Sequence, residues 1–355
     1  MRKNEMGNDK SLIEIVNPKP NSTVMIYDVH ASESGALAIL DDFYRQIRTH
    51  IDKSVKWIFI VSTPNYEETE NIIVRRFPWV KKNWGYRYYF DKATTKGLLK
   101  KFKPDKVFSL QNKGIPFYHK EQIVYLHLPF ILTDHIFDIR VDGKKLWLYQ
   151  NVISKSIFRS LRKTDYTIVQ THWMKDDLIK KAGISEKQII IQEPDITTNN
   201  IGKYVDTASS RQTFFYPATA FSYKNHMTLL KAINYAQKTG LHDYSLTLTI
   251  RSDENRLSQE LSDYAKRNNL NVLFIGQIPR EKVFEMYANS VLLFPSYVES
   301  FGLPLLEAKL TGTYVIASDC PFCREILDGY ERAMFFNEMD YETMGKHILK
   351  LAGSI

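Results

Sequence analysis

The amino-acid sequence predicts an α/β protein built from two domains with parallel sheets. The chain has 355 residues, 44% of them hydrophobic, which is enough for two cores at about 150 residues per domain. Short runs of β-branched and aromatic residues alternate with longer amphipathic segments, a pattern typical of βαβ units. A polar stretch at residues 197–212 interrupts the alternation, which then restarts. We therefore expect domains at residues 1–200 and 201–340, followed by a C-terminal helix at 341–355.

The apolar runs of the first half predict six strands. They lie at Thr23–Tyr27, Trp57–Val61, Lys106–Leu110, Ile123–His127, Tyr166–Gln170 and Gln188–Gln192. The segment His172–Gly183 between the last two predicts a helix, because it ends at a glycine, the usual residue just after a helix.

The second half predicts a complete doubly wound domain. Its five strands are expected at Thr213–Tyr216, Ser245–Arg251, Asn271–Ile275, Val291–Pro295 and Tyr314–Ser318. Four helices are expected between them, near Met227–Lys238, Leu257–Asn268, Arg280–Asn289 and Leu303–Thr311, with one more at Tyr341–Leu351. Ligands of such domains bind at the carboxyl ends of the strands.

Composition narrows the class of protein. An aromatic share of 13% with 15 Gly and 13 Pro excludes a disordered or collagen-like chain. Two cysteines cannot form a disulfide framework and favour a reducing compartment. The first ten residues lack the apolar core of a secretory signal, and the apolar run Leu126–Leu132 is far shorter than the ~18 residues of a spanning helix. We expect a cytoplasmic protein that is at most peripheral on the inner face of the plasma membrane.

The net charge of +8 is concentrated in one segment. Residues 71–120 contain 13 basic residues but only two acidic ones, Asp91 and Asp105. Within that segment, residues 77–90 mix large aromatic and basic side chains. This composition suits the headgroup layer of an anionic membrane, and it also suits single-stranded nucleic acid. A third interpretation is a solvated basic face whose aromatic residues belong to the core.

The strongest local pattern is Phe294–Asp319, FPSYVESFGLPLLEAKLTGTYVIASD. A predicted strand ends there, a loop carries Glu299, and a helix begins near Gly302 with a proline in its first turn. The free amides and the dipole of that helix start suit a diphosphate. Glu299 and Glu307 are separated by seven residues, so both can face one crevice and accept hydrogen bonds from a polyol. Taken alone, Glu299 also suits a helix-capping acid and Glu307 a solvent-facing residue.

These residues resemble a known family. The E-x7-E spacing, the following FGLP helix start and the TGTYVIAS strand are similar to those of the retaining nucleotide-sugar glycosyltransferases of family four. That family has the GT-B fold of two facing Rossmann-like domains. The resemblance implies that Glu307 binds the ribose hydroxyls and that Glu299 contacts the donor sugar. The backbone amides of Ser300, Phe301, Gly302 and Leu303 are then expected at the diphosphate.

The resemblance extends to other segments. YPATAFSYKNHMTLLKAI resembles the first strand and turn of the family's C-terminal domain, which implies that Lys224 neutralises the leaving diphosphate. Thr219 stands where the family often has an arginine. IGQIPREK resembles the base-binding loop, which places the Ile278 backbone at the base. In the first half, Gly35 corresponds to a glycine loop near the phosphate. His127 corresponds to a residue near the transferred sugar, although a packed, hydrogen-bonded histidine is an equal alternative.

The resemblance implies a hexosyl transfer from a nucleotide diphosphate sugar to a saccharide hydroxyl with retention of configuration. UDP-hexose is the favoured donor and GDP-mannose the second choice. No cofactor or metal is expected, because Lys224 and the helix start supply the positive charge. The basic first domain suggests an acceptor linked to polyprenyl diphosphate, as in capsule, O-antigen or lipopolysaccharide assembly, on an anionic membrane contacted by residues 71–120 and without nucleic acid as a partner.

Two other functions are compatible with parts of the sequence. A non-hydrolysing nucleotide-sugar 2-epimerase has the same architecture and would release an epimer of the donor. A non-catalytic nucleic-acid-binding protein would use residues 71–120 and show steep salt dependence. Cys320 and Cys323 form a C-P-F-C sequence, but the chain after them is too short for a thioredoxin-like domain, and no second pair completes a zinc site. We interpret this pair as incidental.

Overall fold

The computed structural model describes residues 10–31, 34–194 and 202–353. The described chain forms two compact units, each with its own sheet. The first unit contains residues Met1–Leu132 and Leu148–Glu193, and the second contains Thr133–Trp147 and Pro194–Ile355. This division differs from the predicted domains, because the second unit begins at Pro194, takes the segment Thr133–Trp147 from the first half of the chain, and includes the C-terminal helix.

All the strands of the first unit run parallel in one seven-stranded sheet. Its strand order is β3-β2-β1-β4-β5-β6-β7. The strands are β1 (Thr23–Asp28), β2 (Lys56–Val61), β3 (Ile72–Arg76), β4 (Lys106–Ser109), β5 (Glu121–Tyr125), β6 (Tyr166–Val169) and β7 (Ile189–Ile191).

The sheet of the second unit is parallel and has six strands. Its strand order is β10-β9-β8-β11-β12-β13, which is again a doubly wound order. The strands are β8 (Thr213–Tyr216), β9 (Ser245–Leu248), β10 (Val272–Phe274), β11 (Val291–Phe294), β12 (Val315–Ser318) and β13 (Ala333–Phe336).

Helices connect the strands in both units. In the first half they are α1 (Leu12–Val16), α2 (Ser34–Thr49), α3 (Trp84–Tyr89), α4 (Thr95–Phe102), α5 (Lys144–Leu148), α6 (Ser154–Leu161) and α7 (His172–Asp177). In the second half they are α8 (Ala208–Gln212), α9 (His226–Lys238), α10 (Arg256–Arg267), α11 (Arg280–Asn289), α12 (Leu303–Thr311), α13 (Pro321–Ile326) and α14 (Tyr341–Ala352). Single wide turns at Phe90–Thr94, Tyr149–Ile153 and Leu178–Ala182 continue α3, α5 and α7.

The central strands are buried on both faces, as the near-continuous apolar runs predict. In β2, Trp57 and Phe59 pack in one apolar cluster, whereas Ile58 and Ile60 pack in another. Successive residues of a strand point to opposite faces, so helices cover both sides of the sheet. The predicted α/β class with parallel sheets is confirmed.

Two strands, β3 and β13, were not predicted from the sequence. Both lie at an outer edge of their sheets. Four of the five residues of β3 and three of the four of β13 are not fully buried, so their sequences lack the apolar runs that mark the inner strands. The predicted linker at residues 197–212 is also wrong in its second part. Tyr204 and Val205 donate backbone hydrogen bonds to Thr311 and Ala288, and α8 follows; residues 195–201 lie outside the described ones.

Among the described residues, none of the helices combines the length and the apolar character needed to cross a bilayer.

Candidate functional site

The carboxyl edge of the second sheet gathers most of the residues singled out in the sequence. β8 and β11 are neighbours at its centre. The strand that follows β8 in the chain, β9, lies on one side of this pair, and the strand that follows β11, β12, lies on the other side. Lys224 follows β8, and Glu299 follows β11. Because the strands are parallel, both residues lie at the same edge, at the point where the strand order reverses. Such a point is the usual ligand crevice of a doubly wound sheet.

Lys224 and Glu299 form an ion pair there. The Lys224 ammonium contacts Glu299 Oε1, and the two side chains are 18% and 17% exposed. The Ser296 hydroxyl lies 2.7 Å from the same carboxylate oxygen and donates to it. The sequence predicts separate roles for these two residues, whereas in the structure they are direct partners. Any anion that binds Lys224 must therefore compete with Glu299.

The backbone around Lys224 is held in place from several sides. Lys224 ends a single 3₁₀ turn at Ser222–Lys224, and its carbonyl accepts a 2.9 Å hydrogen bond from the Tyr216 hydroxyl. Asn225 follows in the left-handed conformation at φ 56°. Its side-chain amide donates to the carbonyls of Pro295 and Glu338, at 3.3 and 2.6 Å. These bonds fix the position of the Lys224 backbone relative to the end of β11.

Glu307 lies one helical turn inside α12 and is 7% exposed. The Tyr287 hydroxyl donates to its Oε2 at 3.2 Å, and the Arg280 guanidinium lies 3.0 Å from its Oε1. Burial raises the pKa of Glu307, while Arg280 and Tyr287 oppose that shift. The carboxylate therefore sits in a low-dielectric site with a fixed orientation, and its oxygens retain capacity to accept hydrogen bonds from hydroxyl groups.

The start of α12 depends on glycine. Gly302 precedes the helix at φ 90°, in the left-handed region that side chains disfavour. A Cβ atom there would lie 3.2 Å from Leu305 and 3.3 Å from Phe322. Phe301 is buried, Ser300 is half-buried and Leu303 is 38% exposed. This arrangement places the amides of the Ser300–Leu303 segment at the edge that carries Glu299, as an anion site requires.

The remaining predicted residues of the second unit lie around the same edge. Thr219 is exposed in the loop after β8, and its carbonyl accepts the amide of Phe221. Ile278 is half-buried in the loop between β10 and α11. Arg251, in the segment after β9, is exposed and paired with Asp253.

His127 lies just beyond β5, at the carboxyl edge of the first sheet. Its amide donates to Asn112 Oδ1 at 2.8 Å, and its Nε2 lies 3.3 Å from the Asn112 amide nitrogen. Burial lowers the pKa of His127 to about 4, so the ring is neutral at pH 7. Nδ1 is buried and has no hydrogen-bond partner within the described ranges. Gly35 is the second residue of α2, and nothing further is described of its surroundings.

Other polar groups lie near His127 at that edge. Arg87 binds Asp91 through Nε and Gln111 through Nη2, and Lys113 binds Asp91 at 2.7 Å. Burial raises the pKa of Asp28, at the end of β1, to about 6. Asp28 Oδ2, Arg87 Nη1 and Gln111 Nε2 are buried without a partner among the described residues. Arg87 is thus a buried structural base and not part of a solvated basic face.

Comparison with known families decides the identity of the chain. Residues 200–353 match the family described as Glycosyl transferases group 1, and residues 55–193 match the family described as Glycosyltransferase Family 4. The chain belongs to glycosyltransferase family 4. The first match contains the whole E-x7-E region together with Lys224, and the second contains His127 and the whole basic segment at residues 71–120.

Curated relatives of this family 4 chain are distant. It is 22% identical to the O-antigen chain mannosyltransferase RfbU of Salmonella typhimurium over 60% of this chain and 61% of the relative. It is 27% identical to an O-antigen chain mannosyltransferase B of Escherichia coli, over 38% of this chain and 35% of the relative. The match thus spans about three fifths or less of each of these relatives.

Solved structures show the fold. The lipopolysaccharide outer core galactosyltransferase WaaB matches with a TM-score of 0.64 and 15% identity, over 94% of this chain and 90% of that one. WaaG, a glycosyltransferase of lipopolysaccharide biosynthesis, matches with a TM-score of 0.64 and 17% identity, over 93% of this chain and 90% of that one. Anabaena HepE, solved in complex with UDP and glucose, matches with a TM-score of 0.65 and 14% identity, over 93% of this chain and 89% of that one. The predicted GT-B fold class is confirmed.

Several residues around the site of this family 4 chain were not identified from the sequence. Arg280 and Tyr287 hold Glu307, and Ser296 binds Glu299. Arg280 stands in the segment compared with the base-binding loop, and Tyr287 lies in the helix that it begins, so the resemblance had marked their neighbourhood. Nothing in the local sequence indicates that their side chains reach a carboxylate on α12.

Cys320 and Cys323 are both buried and unbonded to each other as a disulfide. Burial raises the pKa of Cys320 to about 12 and raises the pKa of Cys323 well above its usual value, which keeps both thiols protonated at pH 7. Within the described ranges, groups of three or more His, Cys, Asp or Glu side chains that could hold a metal ion are absent.

Proposed function

We propose that this chain transfers a hexose from a nucleotide diphosphate sugar to a saccharide hydroxyl, with retention of configuration, in the assembly of a surface polysaccharide. The observation that carries the proposal is the Lys224–Glu299 pair at the centre of the second sheet, beside the start of α12. Together, the pair and the helix start supply a cation, a carboxylate and backbone amides at one edge of the sheet. These are the groups that a sugar diphosphate requires.

The diphosphate is assigned to Lys224 and the Ser300–Leu303 amides. As the glycosidic bond to the leaving phosphate breaks, negative charge grows on that phosphate and positive charge grows on the sugar ring. Lys224 and the helix start stabilise the negative charge on the leaving phosphate in a poorly hydrated crevice. Binding of the diphosphate draws Lys224 away from Glu299, which leaves Glu299 able to accept hydrogen bonds from the sugar hydroxyls.

The nucleoside is assigned to the neighbourhood of Glu307. Its buried carboxylate is held by Arg280 and Tyr287 and presents acceptor oxygens to the two ribose hydroxyls. The Ile278 backbone contacts the base. HepE was solved with UDP and glucose, which favours a UDP-hexose, whereas the names of RfbU and its Escherichia coli counterpart favour a mannosyl donor, such as GDP-mannose.

The acceptor is assigned to the first unit, where His127, Arg87 and Asp28 supply hydrogen-bonding groups. We propose that it is linked to a polyprenyl diphosphate at the inner face of the plasma membrane. The support is α3 and its surroundings: Trp84, Tyr88 and Tyr89 are 76%, 67% and 59% exposed. Basic side chains flank these rings, with the Lys82 and Lys92 ammonium groups 5.9 Å from the Tyr86 and Tyr88 rings. Such a mixed surface fits an anionic headgroup layer.

A screen of nucleotide sugars tests the donor assignment. A ligand at 100 times its dissociation constant adds about 2.7 kcal/mol to the free energy of unfolding. We expect UDP-glucose, UDP-galactose or GDP-mannose to raise the thermal midpoint and ATP to leave it unchanged. Absence of a shift with every nucleotide sugar would refute the donor site. Incubation of the stabilising donor without acceptor then separates transfer from 2-epimerisation, because only an epimerase releases an epimeric donor.

We further propose that transfer needs no divalent metal, because Lys224 and the α12 amides supply the positive charge at the leaving phosphate. EDTA is expected to leave the initial rate of transfer unchanged. An enzyme inactivated by EDTA and restored by magnesium or manganese would contradict this proposal.

A further inference from the structure

The segment Thr133–Trp147 comes from the first half of the sequence but belongs to the second unit. Its contacts there are polar and specific. The Tyr297 hydroxyl donates to Asp142 Oδ1 at 2.8 Å, and His135 Nδ1 lies 2.9 Å from Glu338 Oε1. The His135 ring also packs on the Tyr297 ring with centroids 4.3 Å apart. Two partners on the second unit, Tyr297 and Glu338, thus hold this segment.

These two partners are the neighbours of the Lys224–Glu299 pair. Tyr297 lies two residues before Glu299 in the same loop, and its amide donates to the Tyr223 carbonyl at 3.2 Å, one residue before Lys224. The Glu338 carbonyl accepts the 2.6 Å hydrogen bond from Asn225, one residue after Lys224. The segment therefore contacts the loop of Glu299 on one side and a support of the Lys224 backbone on the other.

We propose that Thr133–Trp147 braces the candidate donor site. His135, Asp142 and Tyr297 are then positioning residues, which keep Lys224 and Glu299 in their positions relative to each other. The proposal rests on the proposed function, since it assigns the brace to the donor site. Its physical basis is that a loop carrying a functional carboxylate keeps its geometry only when surrounding hydrogen bonds fix it.

The brace is expected to depend on pH. Glu338 and Asp142 face His135, with Asp142 Oδ2 3.9 Å from its Nε2, and the Tyr297 hydroxyl faces Asp142. Burial lowers the pKa of His135, but the hydrogen bond and charge of Glu338 and the charge of Asp142 outweigh it, so the pKa is raised. A raised pKa means that the protonated ring stabilises the brace at low pH. This contribution is lost as the pH rises through the pKa of His135 in the folded protein.

The experiment measures the affinity for UDP, or for GDP where UDP does not bind, by calorimetry between pH 6 and pH 8.5. Tyr297→Phe removes one hydroxyl and keeps the ring on His135. Loss of that hydrogen bond is expected to weaken nucleotide binding by about three- to tenfold. The matched control is Tyr244→Phe, which removes a hydroxyl bonded to Gln237 at 2.6 Å just before β9, at the opposite edge of the sheet. Its nucleotide affinity is expected to equal that of the parent.

A second variant, Asp142→Asn, keeps an acceptor for Tyr297 and removes the charge beside His135. Relative to the parent at the same pH, its affinity is expected to be lower at pH 6 and to converge at pH 8.5, because the protonated ring then no longer contributes. A merely structural role would lower the thermal midpoint without this pH signature. Parent-like affinity of both variants at every pH would overturn the brace, whereas a parent that binds neither nucleotide would overturn the proposed function itself.

Discussion

The carboxyl edges of the two sheets share a topology but differ in how their polar groups are satisfied. At the second edge the charged side chains are paired, Lys224 with Glu299 and Arg280 with Glu307, while both ring nitrogens of the buried His226 lack a partner among the described residues. At the first edge, the buried atoms without a partner in the described ranges include two on charged side chains, Asp28 Oδ2 and Arg87 Nη1, besides Gln111 Nε2, His127 Nδ1 and Gln192 Oε1. The same strand order therefore supports two different kinds of chemistry.

The difference follows from the ligands that the two edges are proposed to receive. A diphosphate brings charge, so its site needs a cation that a nearby carboxylate can neutralise until the ligand binds. A saccharide brings hydroxyl groups, which both donate and accept, so its site needs uncommitted donors and acceptors. Unpaired buried polar atoms cost about 1–3 kcal/mol each, and such groups concentrate where a protein binds or reacts.

The largest expected effect tests the charged edge. Lys224→Ala removes the cation proposed for the leaving phosphate and leaves Glu299 without its cationic partner. We expect transfer to fall by at least about 100-fold, with turnover falling more than donor affinity, because the charge develops in the transition state. Lys231→Ala, on the exposed face of α9, is the control and should behave like the parent. Equal losses of turnover and affinity would make Lys224 a plain binding residue.

A change at Glu307 tests the proposed nucleoside end of the same edge. Glu307→Gln keeps the size of the side chain but removes the charge that pairs with Arg280. We expect calorimetry to show UDP or GDP binding weakened by about 1–3 kcal/mol, the cost of poorly satisfied buried hydroxyls. The exposed Glu285→Gln on α11 is the matched control. Unchanged nucleotide affinity would exclude Glu307 as the ribose ligand.

A smaller effect is expected on the outer surface of the first unit. Lys82→Gln with Lys92→Gln should reduce sedimentation with anionic vesicles, since each base near such a surface contributes about 1 kcal/mol. Arg87, in the same basic segment, is left unchanged because it is buried and its loss would disturb Asp91. Lys231→Gln with Lys266→Gln removes the same charge from exposed positions of the second unit. Equal sedimentation of the two double variants would make α3 an ordinary solvated face.

The smallest effect is expected at the cysteine pair beside the charged edge. Both thiols are buried, and burial raises their pKa values, so neither is a ready nucleophile. Cys320→Ser with Cys323→Ser should leave transfer near the parent level, measured beside the thermal midpoint. Loss of activity in a folded double variant would instead assign the thiols a chemical role.

Much of the fold was predictable because local periodicity records burial. The bounds of α11, α12 and β8 agree with the sequence prediction, since each is an uninterrupted apolar or amphipathic segment. The edge strands β3 and β13 were missed because partial exposure permits polar residues, and the end of the linker was missed because α8 is too short for a helical period. These errors do not move the site, which depends on the inner strands.

The sequence by itself brought together the residues of the proposed donor edge. Glu299 lies in the loop after β11, and Gly302 lies at the start of the helix that follows, with Glu307 one turn inside it. Because these residues are close in the sequence, they meet at the same edge of the sheet. The sequence also determined that the first half carries the positive charge, although it did not separate exposed bases from Arg87.

Only the tertiary structure decided the partners of these residues. Lys224 meets Glu299 because β8 and β11 are adjacent, Arg280 reaches Glu307 from another helix, and His135 joins the second unit from more than 150 residues earlier in the chain. Such contacts bring together positions that have no local relation, and hydrogen bonds and ion pairs leave no periodic trace in a sequence. Periodicity records which face of an element is buried, whereas the identity of the neighbour on that face is set by how the strands are ordered and packed.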